Sequence, residues 1–334
     1  MKKIRISPFY IVLLVFIVAV LILTEVGKGY LRDLLAEYEG AQYKYVAADI
    51  LDQHLTAGDG EKLERWGNVI LARPDPQIIW NTPKGDSWKK INARYLRSRS
   101  GGGSWEVRNM PAGSWTIGYR ELTFKIQPTG FKHTGLFPEQ AVNWDFMAEK
   151  IRAARKKDPN REIKVLNLFA YTGGATVACA KAGASVCHVD AAKGMVAWAK
   201  ENAKLSGLAD APIRWIVDDC AKFVEREIRR GKTYDAMIMD PPSYGRGPGG
   251  EVWKLEENLF PFVKLCARVL SDKPLFVILN SYTTGLAPSV LGYILQMLVG
   301  KRFGGRVTWD ELGLPCTQSG MALPCGATGR WTAE

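Results

Sequence analysis

Asp240-Pro241-Pro242-Ser243-Tyr244 follows an apolar run, Ala236-Met237-Ile238-Met239, that reads as a buried parallel strand. Prolines cannot continue a ladder, and their rings fix the local backbone. The acid and the free carbonyls therefore point into the crevice where open α/β sheets bind ligands. Upstream, Lys164-Val165-Leu166-Asn167-Leu168-Phe169 reads as a strand that enters Ala170-Tyr171-Thr172-Gly173-Gly174-Ala175-Thr176 and then a helix. The next strand, Ser185 to Val189, ends at Asp190. Glycines let a backbone approach a ligand closely, and an acid at the second strand tip can hold the two hydroxyls of a ribose. A third strand, Ile213 to Val217, ends in Asp218-Asp219. An acid at that place can accept a hydrogen bond from an adenine amino group.

The glycine turn is not G-x-G-x-x-G, so a pyrophosphate has little to sit in. S-adenosylmethionine (SAM) has none to place, and it fits better than a dinucleotide. From about His133 onward the chain resembles bacterial class I SAM-dependent methyltransferases of the 23S rRNA large-subunit type. The pieces that carry the resemblance are Thr134-Gly135-Leu136-Phe137-Pro138-Glu139-Gln140, Asn167 to Gly174, Asp190, Asp218-Asp219 and Asp240 to Gly247. The resemblance covers roughly two thirds of the chain, and it is more specific for fold and cofactor than for substrate. It implies that Phe169, Tyr171, Thr172 and Gly173 wrap the methionine half of SAM. It also implies that Asp190 takes the ribose, that Asp219 beside Asp218 reaches the adenine, and that Asp240 borders the methyl. Gln140 would close the pocket.

The elements that must position these residues follow the same plan. Helices are expected over 144–156, 193–205, 221–230, 251–270 and 288–299, a strand over 274–280, and a closing antiparallel pair over 306–312 and 321–331. The fold class is α/β, with the seven-stranded Rossmann-like sheet that the resemblance implies. Three acceptors can be compared. Carbon-5 of a pyrimidine needs a cysteine thiolate, and Leu279-Asn280-Ser281-Tyr282-Thr283-Thr284 carries none where related enzymes place it. A lysine-centred set for a ribose hydroxyl is not identifiable. A base nitrogen needs hydrogen bonding and stacking: Asp240 and the Pro241 carbonyl would accept, and Tyr244 would stack. Tyr244 stands one place later than the aromatic of the usual amino-methylating motif. Gly245 to Gly250 reads as a lid.

The 334 residues carry a formal net charge of +11, which favours an anionic partner. Between Lys84 and Lys132 there are ten Lys or Arg and three acids. Lys89, Lys90, Arg94, Arg97 and Arg99 are interleaved with Trp88 and Tyr95, a pattern for gripping phosphates and stacking unpaired bases. Short β-like runs at 69–72, 104–107, 115–119 and 122–126 predict a small β-rich domain over 54–132, before a catalytic domain over 133–334. The six cysteines form no C-x-x-C and suit a reduced, cytoplasmic protein. Scattered His54, His133 and His188 give no metal site. Pro8 to Thr24 is apolar and just long enough for a membrane anchor, which would send the remainder outward. That conflict leaves an anchor of reversed topology or residues 1–53 as a foreign fused segment, and the second is favoured because the resemblance starts only after this point. Two other readings remain: a SAM enzyme with a small-molecule or protein acceptor, and a membrane-anchored RNA-binding protein with a vestigial cofactor pocket.

Overall fold

Burial along the strands separates two kinds of sheet. The computed structural model describes residues 45–46, 56–98, 102–246, 252–316 and 319–333. The apolar run 8–24, the boundary expected at residue 53 and residues 247–250 of the expected lid lie outside them. The compact unit that holds every described residue begins at Tyr45. Among the described residues no helix is long and apolar enough to cross a membrane.

After a short strand β1 (Tyr45–Val46), five strands form one sheet in chain order: β2 (Thr56–Gly58), β3 (Glu61–Trp66), β4 (Val69–Pro74), β5 (Ala93–Arg97) and β6 (Gly103–Val107). A 3-10 turn, Asp86–Lys90, precedes β5 and buries Trp88. A hairpin follows, β7 (Trp115–Tyr119) with β8 (Leu122–Ile126). β8 alternates buried and half-buried residues, as a sheet with one covered face requires. The runs expected at 69–72, 104–107, 115–119 and 122–126 all lie in strands. β2, β3 and β5 were not foreseen. In β5 the arginines mask an alternation in which Ala93 and Tyr95 turn inward.

The second sheet belongs to the crossover half. Its elements are α1 (Ala141–Lys157), β9 (Lys164–Leu168), α2 (Gly174–Lys181), β10 (Ser185–Asp190), α3 (Lys193–Leu205), β11 (Ile213–Val217), α4 (Cys220–Arg229) and β12 (Ala236–Met239). A small hairpin, β13 (Tyr244–Arg246) with β14 (Val252–Lys254), leads into α5 (Leu255–Cys266). Then come β15 (Phe276–Ser281), α6 (Pro288–Leu295), β16 (Arg306–Cys316) and β17 (Met321–Thr332). The helix expected over 251–270 therefore starts later, because Val252–Lys254 pairs as a strand instead.

The strand order is β1-β16-β17-β15-β12-β9-β10-β11. β9 to β12 and β15 pair in parallel, and β17 runs antiparallel to both β15 and β16. The sheet holds eight strands where seven were expected. The addition is β1, whose Tyr45 and Val46 pair in parallel with Leu312 and Gly313. β12 and β15 are buried along their whole length, which is why β12 and Phe276 to Leu279 of β15 read as apolar runs. Chain order reverses at β9, with β10 on one side and β12 on the other. The carboxyl ends of these three strands thus face a crevice at a topological switch point.

Candidate active site

Beyond β9 the chain takes left-handed backbone angles at Phe169 (φ 55°), Tyr171 (φ 49°) and Gly173 (φ 82°). Two non-glycine residues in that region mark a strained turn, of a kind that clusters at ligand sites. A side chain at Gly173 would also press its Cβ to 2.9 Å from the Cβ of Ala199. Asp190 holds the turn. Its Oδ2 accepts from the Tyr171 amide at 2.8 Å, and its Oδ1 accepts from the Ala192 amide at 2.8 Å. Burial raises its carboxyl, against the pull of those two hydrogen bonds. Each oxygen keeps a second lone pair for a ligand hydroxyl.

Asp218 and Asp219 are engaged locally. Asp218 pairs with Arg226, and its Oδ1 accepts from the Asp219 amide at 2.9 Å. Asp219 caps α4, accepting from the Lys222 amide at 2.9 Å. It is exposed, and a cap uses one of its oxygens.

Asp240 sits differently. Its Oδ1 is buried and has no hydrogen-bond partner among the described residues. Burial, reinforced by the nearby Glu139 carboxylate, pushes its carboxyl up to about 7, and a hydrogen bond from Asn280 opposes the shift. Glu139 is itself raised by burial. Around them runs a buried polar network. Gln140 Nε2 donates to the Tyr282 hydroxyl at 2.9 Å, and Gln140 Oε1 accepts from Asn143 at 2.8 Å and from Asn280 at 3.2 Å. Thr328 donates to Asn280 at 2.8 Å, and Arg330 donates to Asn143 at 2.8 Å. This network joins α1, β15 and β17 beneath the loop.

One pocket gathers Gln140, Phe169, Tyr171, Thr172 and Asp240, together with Asn167 and Asn280. Phe137 closes its side, with its ring 5.4 Å from Tyr171 and 5.5 Å from Tyr282. Gly135 lets this wall approach, since a Cβ there would fall 2.2 Å from the Trp198 ring. Thr172 donates to the Gly135 carbonyl at 2.5 Å. Pro241 is buried, while Tyr244 on β13 is 54% exposed and lies outside the pocket lining. Trp253 donates to the Pro242 carbonyl at 2.6 Å and lays its ring 5.6 Å from Phe169.

Asn280, Tyr282 and Glu139 were not singled out from sequence as site residues. The polar run Asn280-Ser281-Tyr282, which follows the apolar Phe276 to Leu279 of β15, was the available signal. Trp88 and Tyr95, read as stacking faces, are 7% and 3% exposed and belong to the core of the first sheet. Of the cysteines, Cys325 is half-buried and electrostatically coupled to Glu139; burial and Glu139 raise its thiol well above the ordinary value. Among the described residues no three His, Cys, Asp or Glu group together as metal ligands.

The family described as S-adenosylmethionine-dependent methyltransferase matches residues 79–254, just over half of the chain. Ribosomal RNA large subunit methyltransferase K/L of Shewanella baltica is 35% identical over 224 residues, covering 63% of this chain. The Shewanella oneidensis protein of the same name is 35% identical over the same length. The chain spans only about 28% of the length of these curated relatives. The crystal structure of the SAM-dependent methyltransferase from Agrobacterium tumefaciens is 35% identical, covers 86% of this chain and 92% of its own, and superposes with a TM-score of 0.79. A methyltransferase fold solved with S-adenosylhomocysteine (SAH) is 18% identical, covers 99% of this chain and 83% of its own, and has a TM-score of 0.64, a likeness of fold. The chain belongs to the SAM-dependent methyltransferase family.

Proposed function

We propose that this SAM-dependent methyltransferase modifies RNA, with a nitrogen of a ribosomal RNA base as the acceptor. The observation that carries the reading is Asp240, a half-buried residue at the pocket wall whose buried Oδ1 has no hydrogen-bond partner among the described residues. Bound SAM supplies an electrophilic methyl on a sulfonium. The residues present suit it: Asp190 keeps lone pairs for the ribose hydroxyls, and the left-handed turn at Phe169, Tyr171 and Gly173 offers backbone to the methionine half. Asp219 would use its remaining oxygen for the adenine, with Asp218 holding the loop through Arg226. Gln140 would keep the floor fixed through its bonds to Tyr282 and Asn143.

Asp240 would then accept the proton that a base nitrogen sheds as it is alkylated. A group with pKa near the working pH is well matched to that task. The Pro241 carbonyl would share the acceptor hydrogen bond, and Tyr244 would swing onto the base. A carbon-5 route lacks a thiolate, because Cys325 is held in its neutral form by burial. The relatives' printed name supports ribosomal RNA as the polymer, and a cytoplasmic site of action follows from that substrate. In this reading the segment 84–132 contributes RNA contacts, residues 133–334 carry the chemistry, and the apolar run 8–24 has no part in either.

The test is transfer of labelled methyl to protein-free ribosomal RNA, with the product nucleoside identified by mass spectrometry. Label on a base nitrogen is expected. Label on carbon-5 of a pyrimidine, or on small molecules or protein with none on RNA, overturns the proposal.

A further inference from the structure

Eight residues between β8 and the pocket wall form a closed turn. The Gln127 amide donates to the Thr134 carbonyl at 3.0 Å, and the Thr129 amide donates to the His133 carbonyl at 3.1 Å. The Thr129 hydroxyl bridges the tip, donating to the His133 carbonyl at 2.9 Å and accepting from the Phe131 amide at 3.3 Å. Three side chains of the first sheet then hold the outer carbonyls. Trp105 on β6 donates to Thr129 at 2.8 Å, Tyr95 on β5 donates to Gly130 at 3.3 Å, and Arg73 on β4 donates to Lys132 at 3.0 Å. The last of these is anchored in turn, because Arg73 makes two hydrogen bonds to the buried Glu64.

So braced a turn holds its tip residue outward. That residue is Phe131, 68% exposed. Single exposed apolar residues are ordinary, but this one stands on a rigid mount beside the site. His133, two residues on, lies 5.3 Å from the Phe137 ring, which in turn faces Tyr171 and Tyr282. Six residues of chain cannot reach beyond roughly 20 Å, so Phe131 and the pocket wall share one neighbourhood. The charge around it has one sign in excess. Lys132 is lowered by burial and by the repulsion of Lys62, Arg73 and Arg97, with Asp75 opposing. Glu64 and Asp75 answer part of that cation cluster. Crowded cations beside an exposed aromatic ring match a polyanion that carries flat bases.

We propose that Phe131 is a stacking surface for an unpaired base of the RNA, with Lys132 and Arg97 meeting the adjoining phosphate. The proposal rests on RNA as the acceptor and adds the place where its flanking nucleotide docks. It also replaces Trp88 and Tyr95 in that role: Tyr95 acts from below, as a brace. Because the turn is held by backbone hydrogen bonds, the ring is presented before RNA arrives and little order is lost on binding.

The experiment compares wild type with Phe131→Ala, Phe131→Trp and Arg97→Ala. Fluorescein-labelled oligouridylate reports RNA affinity, protein-free ribosomal RNA reports methylation, and calorimetry reports SAH affinity. Phe131→Ala is expected to weaken oligouridylate binding about tenfold and to raise KM for RNA similarly, with SAH affinity unchanged; Phe131→Trp restores both. Arg97→Ala should flatten the salt dependence of RNA binding. Wild-type methylation of RNA together with an unaffected Phe131→Ala overturns the stacking surface alone. A wild-type protein that neither binds nor methylates RNA overturns the acceptor reading and this inference with it. Loss of SAH affinity in Phe131→Ala overturns the inference too, since the turn would then be shaping the cofactor pocket.

Discussion

Glu64 on β3 and Asp240 just beyond β12 both carry buried carboxylate oxygens, and they are treated in opposite ways. Glu64 is met by Arg73 through both oxygens and by Lys62 at 3.4 Å. Burial raises its pKa, but these cations win, and it falls to about 2. Asp240 faces another acid, Glu139, has no cation among the influences on it, and rises to about 7. The difference separates an ion pair that fixes a scaffold from a carboxylate left without a counter-charge. Charge that is fully answered lends rigidity; charge left unanswered is available to a substrate.

The sharpest way to break the comparison is Asp240→Asn. Turnover should fall by about 10²–10⁴-fold while SAH affinity stays within a few fold, because in the proposed function the lost group acts on the acceptor's proton. Single-turnover kinetics with calorimetry measure both. A fully active variant would make Asp240 a structural acid like Glu64. Cys325→Ala is the control, being the thiol coupled to Glu139, and should leave turnover nearly intact.

Next in size is Glu64→Gln, which leaves Arg73 buried without its counter-charge. We expect it to cost about 3–5 kcal/mol in urea unfolding, with much less lost when Glu64 and Arg73 are replaced together by apolar residues. The pH dependence of stability should oppose as well. The folded pKa of Glu64 lies below its unfolded value, so its contribution is present above about 4.5 and lost as pH falls through about 2. The folded pKa of Asp240 lies above its unfolded value of 3.8, so stability is lost as pH rises from there through about 7. Asp240→Asn should therefore melt higher than wild type at pH 8, and a lower melting temperature would contradict the assignment.

Asp190→Ala comes third. Removing hydrogen bonds to a charged acceptor should weaken SAH binding by about 1.5–3 kcal/mol in calorimetry. Part of that loss would come from the Tyr171 amide, which Asp190 also holds. The rate profile follows. Only ionised Asp240 accepts a proton, so kcat should climb about tenfold between pH 6 and 8 with an inflection near 7. A flat profile in wild type would point to an acceptor that sheds no proton, such as a ring nitrogen with a free lone pair. Smallest is Asp219→Ala: loss of the α4 cap should cost about 1 kcal/mol of stability. Any further loss of SAH affinity measures its second oxygen.

The two sheets also differed in how far sequence disclosed them. β12 and the first four residues of β15, Phe276 to Leu279, are apolar because both their faces are covered, and such runs are visible without partners. The glycine turn, Asp190 and Asp240 stand at strand ends, where chain order fixes their places, so their convergence on one crevice was legible. β3 and β5 were hidden because Glu64 and Arg94 look like surface residues until their counter-ions, Arg73 and Glu61, are brought across the sheet. Tyr95 was misread for the same reason: its neighbours along the chain are arginines, but its own face turns inward. Glu139, Asn280 and Tyr282 acquire meaning through contacts more than a hundred residues apart, between the start of α1 and the end of β15. No local pattern encodes such a distance.

β17 lies in the interior of the large sheet, between β15 and β16, yet comes after both in the chain. During synthesis the ribosome releases β15 long before the strand that will sit beside it. Until then β15 has an open edge, and Asn280 and Asn143 lack Thr328 and Arg330. The site can thus acquire its buried floor only when residues 321–332 have emerged, so a chain stalled earlier would carry every signature motif and no finished enzyme.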